Sequence, residues 1–103
     1  MSKPKIDGVI EAVHYNKEGF VEWVRAYLRR GPTFSDRILL DRVSLIENLK
    51  SGKHYFAGYR IPLMASTFET RKPVQLIKKD DREILVTGDL EVDKDFLEGI
   101  PII

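Results

Sequence analysis

No cysteine occurs among the 103 residues. Disulfides, thiolate metal sites, iron–sulfur clusters and cysteine nucleophiles are therefore excluded together. Histidine is nearly as scarce: His14 and His54 stand in unlike contexts, without the spacing of a zinc site. No run approaches the roughly 18 apolar residues of a membrane span. The apolar run that follows Met1 to Lys5 is too short for a signal peptide. These absences point to a soluble, cytoplasmic chain with no membrane partner. No Gly-x-Ser-x-Gly elbow is present. Lys50-Ser51-Gly52-Lys53 fails as a phosphate loop, because position 47 is Glu47 rather than glycine and Lys53 precedes His54. Asp80 and Asp81 are adjacent carboxylates in a turn, where acidic residues belong. With no constellation of nucleophile, base and acid, the expectation is a non-enzymatic protein without cofactor or metal.

Net charge is also nearly absent, at +1. By itself that figure predicts no bulk attraction to nucleic acid or membrane. The total hides a segregation: residues 1–24 carry −1, residues 25–78 carry +7 and residues 79–103 carry −5. What the chain does have is 43% apolar and 32% charged residues, over a length suited to one domain. The expectation is a single domain over residues 1–103. Residues 89–103 form an acidic and apolar tail that packs on that domain or on a partner.

Short β-rich runs separated by turn residues dominate. Residues 6–15 and 20–29 read as strands joined by Asn16-Lys17-Glu18-Gly19, a type I turn closed by glycine at positive φ. That loop pairs Asn16 with Phe20, sets Glu11 opposite Arg25 and sets His14 opposite Glu22. The two complementary charge pairs support this register. Residues 30–36 read as a loop and 37–43 as a strand. Ser44-Leu45-Ile46-Glu47 matches a capping box and Gly52 supplies a stop, so the spacing predicts a helix over 45–51. A strand over 54–61 ends at Pro62. The stretch 67–78 is broken by Pro73, which suits an edge or a bulge. Lys79-Asp80-Asp81-Arg82 turns into a strand over 83–87, closed by Gly88-Asp89. Five to six short strands with one short helix predict a mainly β fold, a small partly open β-barrel, since closure removes exposed edges.

The faces of the first hairpin differ. Ile10, Ala12, Val24, Ala26 and Leu28 make an aliphatic face suited to the core. The other face holds Val9, Val13, Tyr15 and Val21, and projects Trp23, Arg25, Tyr27 and Arg29 along one strand. Tyr55 and Tyr59 share one face of the later strand, with His54 and Arg60 opposite. Single-stranded nucleic-acid binders need this chemistry: bases stack on aromatic rings while cations track the phosphates. The plainer alternative is a half-buried barrel wall whose arginines reach to the rim. Arg29 to Arg37 form a glycine-containing loop with three arginines and two hydroxyls, which suits an anion cradle or an ordinary connector. The candidate ligand-binding residues are Trp23, Arg25, Tyr27, Arg29, Arg37, Tyr55, Tyr59 and Arg60.

Two functions follow as expectations. The first is a barrel that binds single-stranded nucleic acid by stacking and phosphate contacts. The second is a protein-interaction or accessory module, a homodimer included, whose positive middle and negative tail complement each other between chains. The eight acids of residues 79–103 could instead fold over the basic middle of their own chain. Ile100, Ile102 and Ile103 could likewise dock on their own domain or on a partner.

Overall fold

A computed structural model describes residues 6–31, 33–35, 37–61, 68–88, 92 and 94–103. The elements run β1 (Gly8–Tyr15), β2 (Val21–Arg30), β3 (Thr33–Phe34), β4 (Ile38–Asp41), α1 (Arg42–Lys50), β5 (Tyr55–Arg60), β6 (Phe68–Lys79) and β7 (Arg82–Thr87). The expected mainly β, partly open barrel with one short helix is what forms. One curled sheet has the order β3-β2-β1-β5-β6-β7, with β4 also paired to β2. Among the described strands only the β1–β5 pair is parallel, as the long crossover through β2, β4 and α1 requires. Residues 30–36, expected as a loop, include the two-residue strand β3. The stop expected at Pro62 and the Asp89 half of the last turn lie outside the described residues.

The β1–β2 turn forms as its residues dictate. The Asn16 N–H donates to the Phe20 carbonyl at 2.8 Å, and Asn16 Oδ1 accepts from the Glu18 and Phe20 N–H groups at 3.0 Å each. Gly19 sits at φ +86°, where a side chain would be strained. The expected register holds at both ends, Val9 with Tyr27 and Tyr15 with Val21. Between them it slips by one, so that Ala12, Val13 and His14 face Arg25, Val24 and Trp23. Both charge pairs survive the slip. Arg25 Nε lies 2.8 Å from Glu11 Oε1, and His14 Nε2 lies 3.6 Å from Glu22 Oε2, because long side chains reach diagonal neighbours. The irregularity at Ile10/Ala12 also inverts the alternation beyond it. Val13 therefore joins Ile10, Val24 and Ala26 in the core instead of facing away from it, and the second irregularity at His14/Tyr15 brings in Val21 likewise.

The helix begins earlier than the capping box predicts. Asp41, not Ser44, is the N-cap: its carboxylate accepts the Ser44 N–H at 2.8 Å. That bond holds the Asp41 carboxyl below its ordinary pKa. Aspartate caps as well as serine, and here it lets β4 pass into α1 without a loop. The end is as expected. The Gly52 N–H donates to the Leu49 carbonyl at 3.2 Å and the Lys53 N–H to the Asn48 carbonyl at 3.1 Å, the paired bonds of a Schellman end. Leu45 and Ile46 are buried and Leu49 packs against the core.

β6 runs unbroken through Pro73 and is internal, so of the expected edge or bulge the bulge is what forms. Pro73 faces Phe56 just where the β5–β6 register shifts. Its carbonyl still accepts the Gly88 N–H at 2.8 Å. As a proline it returns no N–H to Gly88, which lies past the end of β7.

The tail is part of the core. Leu97 and Ile100 are buried in the main cluster. The Phe96 N–H donates to the Leu85 carbonyl of β7 at 2.8 Å. On β1, the Val13 N–H donates to the Pro101 carbonyl and the Ile103 N–H to the Val13 carbonyl, each at 2.9 Å. The tail thus spans from β7 to β1 over the half-barrel, while Ile102 and Ile103 remain exposed. The buried Asp95 anchors this span. Its carboxylate accepts the Val21 N–H at 2.8 Å, the Leu85 N–H at 2.9 Å, Arg42 Nε at 2.8 Å and Arg42 Nη2 at 3.1 Å. Arg42–Asp95 and Lys50–Glu83 are ion pairs that join the basic middle to the acidic C-terminal third. Among the described residues, no helix is long and apolar enough to cross a membrane.

Candidate ligand-binding surface

The stripe on β2 exists in the backbone but does not form an open platform. Trp23 is half-buried and stacks on His14, with ring centroids 4.9 Å apart and planes 15° from parallel. Tyr27 is buried, 5.0 Å from Phe68, which in turn lies 4.6 Å from Phe34. The Arg25 guanidinium is paired with Glu11. Arg37 is also paired with Glu11, and its Nε donates to the Tyr27 hydroxyl at 3.2 Å. That hydrogen bond, followed by the Glu11 charge, raises the Arg37 pKa further above its ordinary value. Tyr27 donates its own hydroxyl proton to Glu11 Oε2 at 3.4 Å. Glu11 thus neutralises the centre of the stripe from within the same sheet. Its pairing with Arg25 is legible in the hairpin register. Its pairing with Arg37 is not, because only the fold sets β4 and its approach beside β2. Arg29 remains exposed, with Nε donating to the Gly31 carbonyl at 3.0 Å and the guanidinium 5.9 Å from the Phe34 ring centre.

Tyr55 and Tyr59 part company. Tyr55 is a core residue whose hydroxyl accepts Asn48 Nδ2 at 2.9 Å. Burial pushes its pKa above the ordinary 10.0. The register irregularity between Phe56 and Gly58 separates the two tyrosines. Tyr59 is 45% exposed, and the Arg71 guanidinium lies 6.0 Å from its ring centre. Arg60, Arg71 and Lys72 are exposed nearby on the paired ends of β5 and β6. Arg71 and Lys72 are missed by sequence reasoning, since they fall in the stretch that Pro73 marks as irregular. The Arg71 cation beside an exposed tyrosine becomes visible only once β5 and β6 are paired.

A fork in the sheet lies beside Tyr59. β5 pairs with β1 only from Gly8 to Ile10. From Val13 onward the same edge of β1 is taken by the tail, through Pro101 and Ile103. In the wedge between them a cleft of about 360 Å³ is lined by Ile10, Glu11, Gly58, Tyr59, Arg71 and the tail residues Gly99 to Pro101. A second cleft of about 420 Å³ shares Arg71 and Gly99 and adds Lys72 and Glu98. Glu11 Oε1 and Arg25 Nε are buried and have no hydrogen-bond partner, although they lie 2.8 Å apart. The charges meet without the angle a hydrogen bond needs. The fork therefore offers an aromatic face and a cation, while the Glu11 carboxylate is already held by Arg25 and Arg37. Among the described residues, no three histidine, aspartate or glutamate side chains gather to hold a metal ion. No protein-family model matches the chain, and no curated protein or solved structure does either.

Proposed function

We propose that this chain is a non-enzymatic, cytoplasmic binding module for single-stranded nucleic acid. Its contact surface is the Tyr59, Arg60, Arg71 and Lys72 end of β5 and β6. The observation that carries this reading is the half-exposed Tyr59 ring with the Arg71 guanidinium beside it, among further exposed cations. A base stacks on the ring, and the cations meet the phosphates that flank it. Of the residues singled out from the sequence, Tyr59, Arg60, Arg29 and Arg37 are exposed, while Tyr27 and Tyr55 serve packing and Trp23 is half-covered. Binding of fluorescently labelled, mixed-sequence DNA and RNA single strands tests the reading. Three cations on phosphates predict roughly 20-fold weaker binding on going from about 50 to 200 mM salt. No binding to either oligomer at low salt removes the proposal.

A second reading, a protein-interaction module that includes the homodimer, has its own support. Leu39 and Val43 are each 64% exposed and Ile102 is 70% exposed. Among the described strands β4 pairs only with β2, so its other edge can accept a further strand. This reading expects a concentration-dependent mass above 11.9 kDa. A strict monomer at high concentration counts against it.

A further inference from the structure

We infer that the open edge of β4 pairs with the same edge of a second copy of this chain, antiparallel about a two-fold axis at Leu39. This rests on the protein-interaction reading, not on the nucleic-acid one, and names its partner and register. The backbone supplies the first observation. On β2 the Leu28 carbonyl accepts the Ser35 N–H at 2.7 Å and the Leu28 N–H donates to Ser35 Oγ at 3.0 Å, while the Arg29 N–H turns the other way, to the Asp7 carbonyl. Backbone groups alternate in direction along a strand, so Val24 and Ala26, like Leu28, point away from β1 and towards β4. Their partners in the ladder are Leu40 and Ile38, whose N–H and C=O groups are thus the ones β2 uses. A planar trans peptide sets its N–H and C=O on opposite sides. The Arg37 carbonyl, the Leu39 N–H, the Leu39 carbonyl and the Asp41 N–H therefore all point to the open edge. Among the described strands β4 pairs only with β2.

Those outward groups are self-complementary. With Leu39 opposite the second copy's Leu39, the two residues exchange both N–H···O=C bonds, as an antiparallel hydrogen-bonded pair does. Each Asp41 N–H then reaches the other copy's Arg37 carbonyl, and no outward group is left over. The same register sets Arg37 across from Asp41 at both ends. Both residues are exposed, and opposite charges across a strand pair favour a register. Arg37 meets Glu11 and Tyr27 through Nε, and Asp41 meets the Ser44 N–H through Oδ1, so each keeps further polar atoms for the other chain. Leu39 is 64% exposed, and its counterpart across the axis covers it. Edge strands of monomers are commonly blunted by lysine, proline or a bulge. Ile38-Leu39-Leu40-Asp41 has none of these, and its pairing with β2 is regular. At four residues β4 is short, so the contact is small and its dissociation constant should lie above about 1 μM.

The test is sedimentation equilibrium of the full chain from about 5 μM to about 1 mM. The average mass should rise from 11.9 kDa towards twice that value. Over the same range, hydrogen exchange of the Leu39 and Asp41 amides should slow at least 10-fold, because pairing protects them. Leu39→Lys sets like charges on the axis, and Leu39→Pro deletes the central donor without touching the ladder to β2. Each should weaken association at least 10-fold. Where a variant does not fold, exchange in the parent decides alone. A mass that rises while the Leu39 amide stays unprotected, or while both variants associate as the parent does, overturns this interface and leaves the broader interaction reading standing. A strict monomer over the whole range overturns both.

Discussion

Replacing Asp95 by asparagine tests how the half-barrel is closed. The Asp95 side chain has no exposed surface and accepts four hydrogen bonds, two on each oxygen. Asparagine keeps the shape but has one acceptor oxygen where aspartate has two. Its amide nitrogen must then face either Val21 N–H and Arg42 Nε, or Leu85 N–H and Arg42 Nη2. In both orientations donors confront donors, and one backbone N–H in the core loses its partner. An orphaned buried donor costs about 1–3 kcal/mol. Breaking one side of a buried ion pair costs about 3–5 kcal/mol. The two costs overlap, and Arg42 is 28% exposed, so water recovers part of the second. The expected loss is about 3 kcal/mol, a large share of the roughly 5–15 kcal/mol that holds a domain together. Urea denaturation followed by the fluorescence of Trp23, the single tryptophan, measures it. With a slope of about 1.5 kcal/mol per molar, the midpoint should fall by roughly 2 M. The double variant Arg42→Met with Asp95→Asn should cost less than the two singles together, because the unpaired cation is gone. An Asp95→Asn protein within about 1 kcal/mol of the parent would refute the reasoning.

Three further outcomes are expected. Gly58→Ala should destabilise by about 2 kcal/mol or more, since a Cβ there would stand 2.3 Å from the Glu69 carbonyl oxygen, a backbone atom that cannot swing away; an unchanged urea midpoint contradicts the close approach of β5 and β6. Asp81→Gly should stabilise by about 1 kcal/mol and raise the melting temperature by roughly 4–8 °C in calorimetry, because Asp80 and Asp81 hold φ of 49° and 66° in a two-residue hairpin turn; a lower melting temperature would speak against relief of backbone strain. The Asp41 cap should contribute stability above the ordinary carboxylate range and lose it as pH falls through the lowered folded-state value; the stability gap between parent and Asp41→Ala, read by helical circular dichroism in urea, should close on acidification, and a gap that stays constant with pH excludes this cap.

Much of the local structure is legible in the residues themselves. Asn16 and Gly19 specify one turn, and the complementary Glu11–Arg25 and His14–Glu22 pairs form even though the register between them slips by one. The helix stop at Gly52 reads equally well, because a Schellman end depends on a few adjacent backbone bonds. The helix start does not, because Asp41 and Ser44 are equivalent caps until β4 is seen to end at Asp41. Strand faces fail for a related reason. A bulge is one extra residue, and nothing in Ile10-Glu11-Ala12 marks it, yet it sends Val13 into the core. The candidate site suffers most. Tyr27 and Tyr59 look alike in sequence, but Tyr27 is buried against Phe68 while Tyr59 stays exposed.

Composition and spacing alone determined that this chain is a mainly β barrel with one helix, because turn residues, caps and alternation act over a few neighbours. They also determined the charge segregation behind the net +1. Only the tertiary structure decided what the segregation means. The +7 middle is partly answered within its own sheet by Glu11 and at its seam by Asp95, leaving Tyr59, Arg60, Arg71 and Lys72 exposed. The reason is physical. Accessibility and charge pairing depend on which distant strands meet, and that follows from burying Leu97 and Ile100 of the tail with β1, β2 and β7, not from any local rule.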